Sequence, residues 1–356
     1  MYLQKVVIMI FYENFMRYFC KYKRFIMFFK KSFLLITIAM LLLSCSTTTK
    51  NNNYTLKGLV FGTSYKITYL DANSNYQKSI DSLFFEMNQS LSTYIPDSDI
   101  SRINTGDTTV VVDANFKEVF IKSKKIYKET NGYFDPTVGN LVNAWGFGPK
   151  KEKQNLTQAQ VDEQMKYVGF DKVQLIDNKI IKQNNNIHLD FNSIAKGYGL
   201  DVIARFFDAK NIHNYLIEIG GEIRTKGYKK NDKPWIIKLV DPIESDVATG
   251  FKNINLSNKA MATSGNYRKY RVAENGQKYV HTINPKTGFA FESNLLSASV
   301  IAGLDCADVD AYATAFMAMG LEKATLFLQE NPKIKSILIY INDAGNLEEY
   351  SNYTYD

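Results

Sequence analysis

The chain has 356 residues, 43 Lys+Arg against 36 Asp+Glu for a net charge of +7, and 45% hydrophobic and 22% charged residues. That is ordinary globular usage, and it excludes collagen-like, disordered and multi-pass membrane classes. Three cysteines, Cys20, Cys45 and Cys306, are too few for a disulfide-stapled scaffold. The charge is unevenly spread: residues 1–44 hold seven bases and one acid, and the remainder is nearly neutral with 36 bases and 35 acids. A nucleic-acid partner therefore loses its main support, because a phosphate footprint needs basic residues in the folded part.

Lys30 and Lys31 precede an apolar run from Phe33 to Leu43. As a helix this run reaches about 16 Å, roughly half a bilayer core, which fits the apolar core of a signal peptide rather than a membrane span. Leu42-Leu43-Ser44-Cys45 resembles a bacterial lipobox, in which Cys45 carries the lipid and becomes the first mature residue. A buried hydrophobic helix with an incidental cysteine is the alternative. The polar stretch from Ser46 to Asn53 has the composition of a flexible tether. Met27 stands at a natural distance ahead of Lys30 and the apolar core, and translation is expected to start there. The expected organisation is a leader over 1–44, a tether over 45–53 and one compact body, of one or two lobes, over 54–356.

Leu56 to Leu70 has strand composition with bends expected at Gly58 and Gly62. Ile80, Leu83, Phe84, Met87 and Leu91 recur at helical spacing, as do Phe116, Val119, Phe120, Ser123, Ile126 and Tyr127, with Asn131-Gly132 ending the second helix. Thr157 is a fitting N-cap for a short helix to Tyr167. Short strands are expected over Val173 to Ile176, Lys179 to Lys182 and Ile187 to Leu189, followed by a helix from Ile194 to Ala209. The stretch 214–302 reads as strand-rich, and two helices and a last strand, Ile337 to Ile341, complete the chain. Helices and strands segregate rather than alternate, which predicts an α+β fold. No G-x-G-x-x-G or Walker loop argues for a nucleotide site of the Rossmann or P-loop kind.

Asp310 and Thr314 lie four apart in an Ala-rich helical stretch and so share a face. A carboxylate and a hydroxyl are hard oxygen ligands of the kind Mg²⁺ accepts. The same stretch also suits a bland reading, in which Asp305, Asp308 and Asp310 complement the positive end of a helix dipole. Asp190 to Gly199 crosses from strand to helix, where exposed amides beside Lys196 would suit a pyrophosphate, or where Asp190 and Ser193 simply cap the helix. Of three histidines, His281, in a turn with Pro285 and Gly288, is the best general-base candidate, although a lone histidine is commonly structural. Tyr94 could stack on a flat ring, Gly220-Gly221 could bring backbone close to a ligand or turn a hairpin, and Gly132 to Gly139 and Trp145 to Pro149 suit ligand loops or packed corners equally.

Taken in order, Phe61-Gly62-Thr63-Ser64-Tyr65, Leu91 to Tyr94 followed by Asp97 to Ser101, Gly132 to Gly139, Trp145 to Gly148, Asp190 to Gly197, Gly220-Gly221, the His281 turn and Ala307 to Thr314 resemble the FAD:protein FMN transferase, or ApbE, family over most of the mature chain. What the resemblance implies is a site for FAD. Tyr94 would stack on the isoalloxazine, while Phe61, Tyr133, Phe134, Asp135, Asp190, Lys196 and Ile283 would contact FAD. Asp310, Thr314 and the carbonyl of Ser193 would hold Mg²⁺, and His281 would be the base. Phe61 departs from the family's usual Met, and Asn192-Ser193 from its usual small residue. The implied reaction moves FMN from FAD to a Thr or Ser of an acceptor protein in a membrane redox complex, releasing AMP. FAD hydrolysis and flavin binding without turnover are the alternatives. The enzyme would be tethered through Cys45 on the extracytoplasmic side of a bacterial membrane.

Overall fold

In a computed structural model the chain divides into two units, 1–50 and 51–356. The structure describes residues 15–18, 21–23, 52–149, 155–240, 250–265, 270–272, 278–290 and 293–355. Within the first unit, 15–18 and 21–23 are helical; Met27 and the apolar run, Cys45 and most of the segment read as a tether lie outside the described residues.

The strand expected over Leu56 to Leu70 is a hairpin, β1 (Asn52–Val60) paired antiparallel with β2 (Thr63–Ala72), so β1 begins two residues inside the segment read as a tether. The chain reverses at Phe61 and Gly62, both at positive φ (52° and 74°), the left-handed geometry a two-residue hairpin turn requires. Gly58 does not bend the strand. It lies opposite Tyr65, whose ring occupies the space a side chain there would need, so its glycine admits close packing instead.

Three helices then bury one face each. α1 (Gln77–Leu91) buries Ile80, Phe84, Met87 and Leu91, and the short α2 (Asp99–Asn104) is capped by Ser98. α3 (Ala114–Glu129) is capped by Asp113 and ends ahead of Asn131 and Gly132, both at positive φ, as the sequence predicted. After α4 (Gly139–Ala144), α5 (Gln158–Met165) begins with Thr157 and Gln160 in a reciprocal capping box. β3 (Val173–Ile176) and β4 (Lys179–Lys182) form a separate hairpin. The third short strand expected at Ile187 to Leu189 is reduced to one isolated bridge between His188 and Val138.

β5 (Tyr215–Ile219) and β6 (Glu222–Lys226) follow the long helix α6 (Asn192–Ala209). Among the described residues β7 (Ile236–Val240) and β8 (Gly250–Asn255) pair only with each other, whereas β9 (Ala260–Gly265) enters the main sheet. β10 (Tyr270–Val272) and β11 (Lys278–Val280) form another ribbon. β12 (Leu295–Ala302), α7 (Cys306–Met319), α8 (Leu321–Glu330) and β13 (Lys335–Ile341) come next. A further strand, β14 (Leu347–Ser351), then pairs with β13. It carries Glu348 and Glu349 at the edge of the sheet, and charge on an edge strand is what hides it from a search for alternating apolar residues.

The main sheet has eight strands in the order β1-β2-β5-β6-β9-β12-β13-β14, all antiparallel, and helices cover one face, which is the expected α+β class. Side chains alternate between two cores with the period of two that a strand dictates. Tyr215, Ile217, Ile219, Val300 and Leu338 join the helices, while Ile223, Ile301, Ile337 and Ile339 pack under Ile237 and Leu239 of β7 on the other side. A third small core of Leu141, Trp145, Val161, Val168, Ile283 and Ala290 lies beneath α4 and α5.

The contact between α6 and α7 positions the site. α7 is buried on nearly every side, and its alanines admit close neighbours. Gly197 of α6 lies against the Cys306 carbonyl, where any β-carbon would collide with that oxygen. Asp201, one turn further along α6, accepts hydrogen bonds from the Cys306 and Ala307 amides at 2.8 and 2.9 Å, so one helix caps the other. Burial pushes the Asp201 carboxyl up to about 6, with Arg224 and the two amides pulling against it. The guanidinium of Arg224 joins Asp201 to Asp305.

Two stability outcomes follow from this contact. Gly197→Ala forces the helices apart and costs about 1–3 kcal/mol; thermal unfolding of the pure protein measures it, and an unchanged midpoint would show that α7 can shift freely. Asp201→Ala leaves Arg224 half-buried with one partner fewer and α7 uncapped, and costs about 3–5 kcal/mol in urea unfolding; a loss below about 0.5 kcal/mol, the size of an ordinary surface change, would remove it from that role.

Candidate active site

Asp310 lies in the second turn of α7 and is 2% exposed. A carboxylate placed there needs partners, because an unpaired buried charge costs several kcal/mol. Its Oδ2 accepts the Gly197 amide at 3.1 Å, and its Oδ1 lies 3.9 Å from the Lys196 ammonium. Burial pushes the Asp310 carboxyl up to about 7, with Lys196 pulling it down and Glu222 adding to the rise. For Lys196, burial lowers the pKa, but Asp310 and Glu222 more than offset this and hold the ammonium charged.

Asp305 and Asp308 do not share this environment. Lys122 reaches both, at 2.7 and 3.2 Å, and Lys125 reaches Asp308 at 3.4 Å. The three aspartates therefore divide, two pairing with lysines of α3 and one turning toward α6. The dipole reading fits the first two only.

Ser193 and Asp310 converge through one amide. In an α-helix the Ser193 carbonyl points at the Gly197 N–H four residues on, and that same N–H donates to Asp310. Thr314, one turn beyond Asp310, exchanges a hydrogen bond with Ser264 of β9 at 3.2 Å, which fixes its hydroxyl beside the sheet. Three of the positions expected around a cation are thus held by two helices.

The N-terminus of α6 offers less to an anion than its sequence suggests. The Asn192 amide donates to Asp190 Oδ1 at 2.7 Å, and the Ile194 and Ala195 amides both donate to the Phe191 carbonyl at 3.0 and 2.8 Å. With those three amides taken, the Ser193 amide, Lys196 and the helix dipole are what the helix end presents to a phosphate. Asp190 lies among the loops read as ligand-binding. Its amide donates to the Pro136 carbonyl at 2.8 Å, and the neighbouring Asn192 donates to Thr93 at 3.2 Å. Burial and the charge of Asp190 raise the pKa of Tyr94, whose residue is 59% exposed. An aromatic ring left open beside the end of α6 is available for stacking.

The segment Tyr133-Phe134-Asp135 divides in the same way. Phe134 is buried in the main core, and Asp135 accepts the Thr137 amide and hydroxyl at 2.8 and 2.6 Å inside its own loop; burial pushes this carboxyl up to about 6 against those bonds. Tyr133 is half-buried, with the ammonium groups of Lys286 and Lys323 at 5.7 and 5.1 Å from its ring centroid and Lys323 donating to its hydroxyl at 2.6 Å. Ile283 packs into the small third core. What the Phe134, Asp135 and Ile283 positions can present to a ligand is therefore their backbone. Phe61 packs edge-on against Phe84 and over Gly199 of α6, which places the hairpin turn on the same helix as Lys196.

His281 follows β11 in a half-buried turn. Among the bonds that anchor that turn, Trp145 donates its indole N–H to the Gly288 carbonyl at 2.9 Å, and Asn284 donates to the Ala318 carbonyl at the end of α7 at 3.2 Å. The helix of Asp310 and the turn of His281 are thereby joined.

Sequence reasoning passed over Glu222, which opens β6 directly after Gly220-Gly221. It is 3% exposed, its Oε1 accepts from the Lys196 ammonium at 2.8 Å, and its Oε2 is buried without a hydrogen-bond partner among the described residues. An acidic residue set directly after a Gly-Gly turn is the local signal for it. Chemically the cluster suits a divalent cation: hard oxygens from Asp310, Thr314 and the Ser193 carbonyl, and an orphaned carboxylate oxygen beside them. No group of three or more His, Cys, Asp or Glu side chains among the described residues could hold a metal. A cation here would complete its shell with water and substrate phosphates, which is the usual habit of Mg²⁺.

Comparison with known proteins points to the same family as the order of the motifs. The ApbE family model matches residues 61–338. The chain is 35% identical over 333 residues to the FAD:protein FMN transferase of Haemophilus influenzae, covering 89% of this chain and 95% of the relative. It is 33% identical over 308 residues to that of Vibrio cholerae, covering 84% and 91%. Among solved structures, the flavin transferase ApbE from Vibrio cholerae superposes with a TM-score of 0.74 at 31% identity, over 85% of this chain and 97% of that one. The apo flavinyl transferase ApbE of Pseudomonas stutzeri gives 0.75 at 26% identity, over 85% and 95%. With the fold, the order of the motifs and the matched length in agreement, this chain belongs to the ApbE family.

Proposed function

We propose that this enzyme transfers FMN from FAD to a Ser or Thr hydroxyl of an acceptor protein, with AMP as the second product and Mg²⁺ in the site. The observation that carries the reading is the pairing of Lys196 with buried Asp310 across the α6–α7 contact, in a chain whose relatives are named for this transfer. Asp310, Thr314 and the Ser193 carbonyl would hold the cation. When bound, it would neutralise the pyrophosphate and stabilise charge developing on the leaving group.

The chain's own groups supply the rest. Tyr94 stacks on the flavin ring, beside Asp190. Lys196 places a fixed positive charge against the phosphates. His281 takes the proton of the acceptor hydroxyl as its oxygen attacks the phosphorus on the FMN side. A new phosphoester P–O bond forms, the pyrophosphate P–O bond breaks, and AMP leaves with the bridging oxygen. Water in place of the hydroxyl would give FMN and AMP instead. The leader argument adds a location: a lipid on Cys45 would tether the enzyme to the extracytoplasmic face of a bacterial membrane, near acceptors that belong to membrane redox complexes.

Incubation with FAD, Mg²⁺ and an acceptor protein yields a fluorescent flavin band on a denaturing gel, with AMP released in equal amount. AMP and free FMN without an acceptor would reassign the enzyme as a hydrolase, and FAD binding with no product at all would leave a flavin-binding lipoprotein. Asp310→Ala and His281→Ala each lower the rate by about 100-fold or more; full activity in His281→Ala takes that residue out of the base role. Cys45→Ala moves the enzyme from the membrane fraction to the soluble fraction with its activity kept, and a variant that still sediments with membranes argues against the anchor.

A further inference from the structure

The unmatched oxygen of Glu222 is the least explained polar atom near Asp310. Glu222 is the first residue of β6, not part of a mobile loop. The preceding turn has Gly220 and Gly221 at φ 63° and 106°, the Gly220 amide donates to the Ser64 carbonyl at 3.0 Å, and the Gly221 amide donates to Glu218 at 3.0 Å. Ile219 and Glu222 pair directly across the hairpin. The carboxylate is therefore delivered to its place by a rigid turn.

Its charge is not balanced locally. Glu222 and Asp310 both lie within 4 Å of one ammonium, that of Lys196. Arg224, two residues along β6, is committed to Asp201 and Asp305, and Lys122 to Asp305 and Asp308. Two buried carboxylates sharing one lysine leave a net negative charge once both are ionised, and burial resists that ionisation at Asp310 until a further cation is present. Burying a carboxylate oxygen with neither a donor nor a cation is costly, and a buried oxygen in that state marks a missing partner.

We propose that Glu222 is a further binding residue of this site, its Oε2 facing the same divalent cation as Asp310, while its Oε1 holds Lys196. This rests on the cation reading given above. It assigns two jobs to one carboxylate: one oxygen orients the lysine that meets the phosphates, and the other adds a hard donor to a site otherwise served by a single acidic side chain.

Titration of Mn²⁺ into the full-length chain, with free Mn²⁺ counted by electron paramagnetic resonance, tests it without reference to turnover. The glutamine variant E222Q keeps an oxygen for Lys196 and loses the charge; it should fold with an unchanged thermal midpoint and bind Mn²⁺ about tenfold more weakly or worse, a loss typical of groups supporting a metal site. K196M separates the two jobs: adding E222Q to K196M should still weaken Mn²⁺ binding by about the same factor, because a direct contact does not act through the lysine. Equal Mn²⁺ affinity in wild type and E222Q, or no further loss on the K196M background, overturns the proposal and leaves Glu222 as a counter-ion whose second oxygen meets water. A wild-type chain that binds no Mn²⁺, alone or with FAD, overturns the cation reading itself.

Discussion

A carboxylate held inside a helix–helix contact governs the rest of this molecule. Asp310 is tolerable in a helix buried on nearly all sides because the neighbouring helix brings both an amide and an ammonium to it. That requires the backbones of α6 and α7 to approach more closely than any side chain at residue 197 would permit. The glycine, the run of alanines in α7 and the capping of α7 by Asp201 serve one end: they fix the distance at which a buried acid is stabilised rather than expelled. The sheet contributes the other two groups, Glu222 from β6 and Ser264 from β9, so the site stands where two helices meet the centre of an eight-stranded sheet.

The polar groups around Asp310 form two clusters with separate purposes. Asp201, Asp305 and Asp308 pair with Arg224, Lys122 and Lys125, three acids with three bases, and Asp201 also accepts from the first amides of α7. Their charges are largely matched, as a structural network requires. Lys196, Glu222 and Asp310 are not matched, and one carboxylate oxygen among them has no partner among the described residues. A balanced cluster is complete as it stands, whereas an unbalanced one at the same depth is arranged for something that arrives. The loops around it have the same character: Tyr94 stays open beside Asp190, while Phe134, Asp135 and Ile283 are committed to packing or to their own loop.

Much of the fold was legible because its signals are local. Helical spacing located α1 and α3, Thr157 announced α5, and Asn131-Gly132 ended α3, each by chemistry within a few residues. The failures have equally physical causes. Gly58 was read as a bend because a glycine in a strand has two uses, and the ring of Tyr65 across the hairpin decides between them. The stretch expected as a strand around His188 makes one isolated bridge, to Val138, and no ladder among the described residues. Of the first four amides of α6, three donate to Asp190 and to the Phe191 carbonyl, which local sequence does not reveal.

For the site, the sequence by itself determined which residues share a face. Asp310 and Thr314 are four apart on one helix, Lys196 lies in the first turns of another, and helical geometry needs no further information to align them. The order of the motifs also pointed to the family. Tertiary structure alone decided which faces meet. Gly197 and Asp310 are separated by 113 residues, and Lys196 and Glu222 by 26. No local rule relates them, because their proximity follows from how α6 and α7 settle on the sheet. That packing separated Asp310 from Asp305 and Asp308, three residues alike in the sequence, and it brought Glu222 to a place that spacing could not foresee.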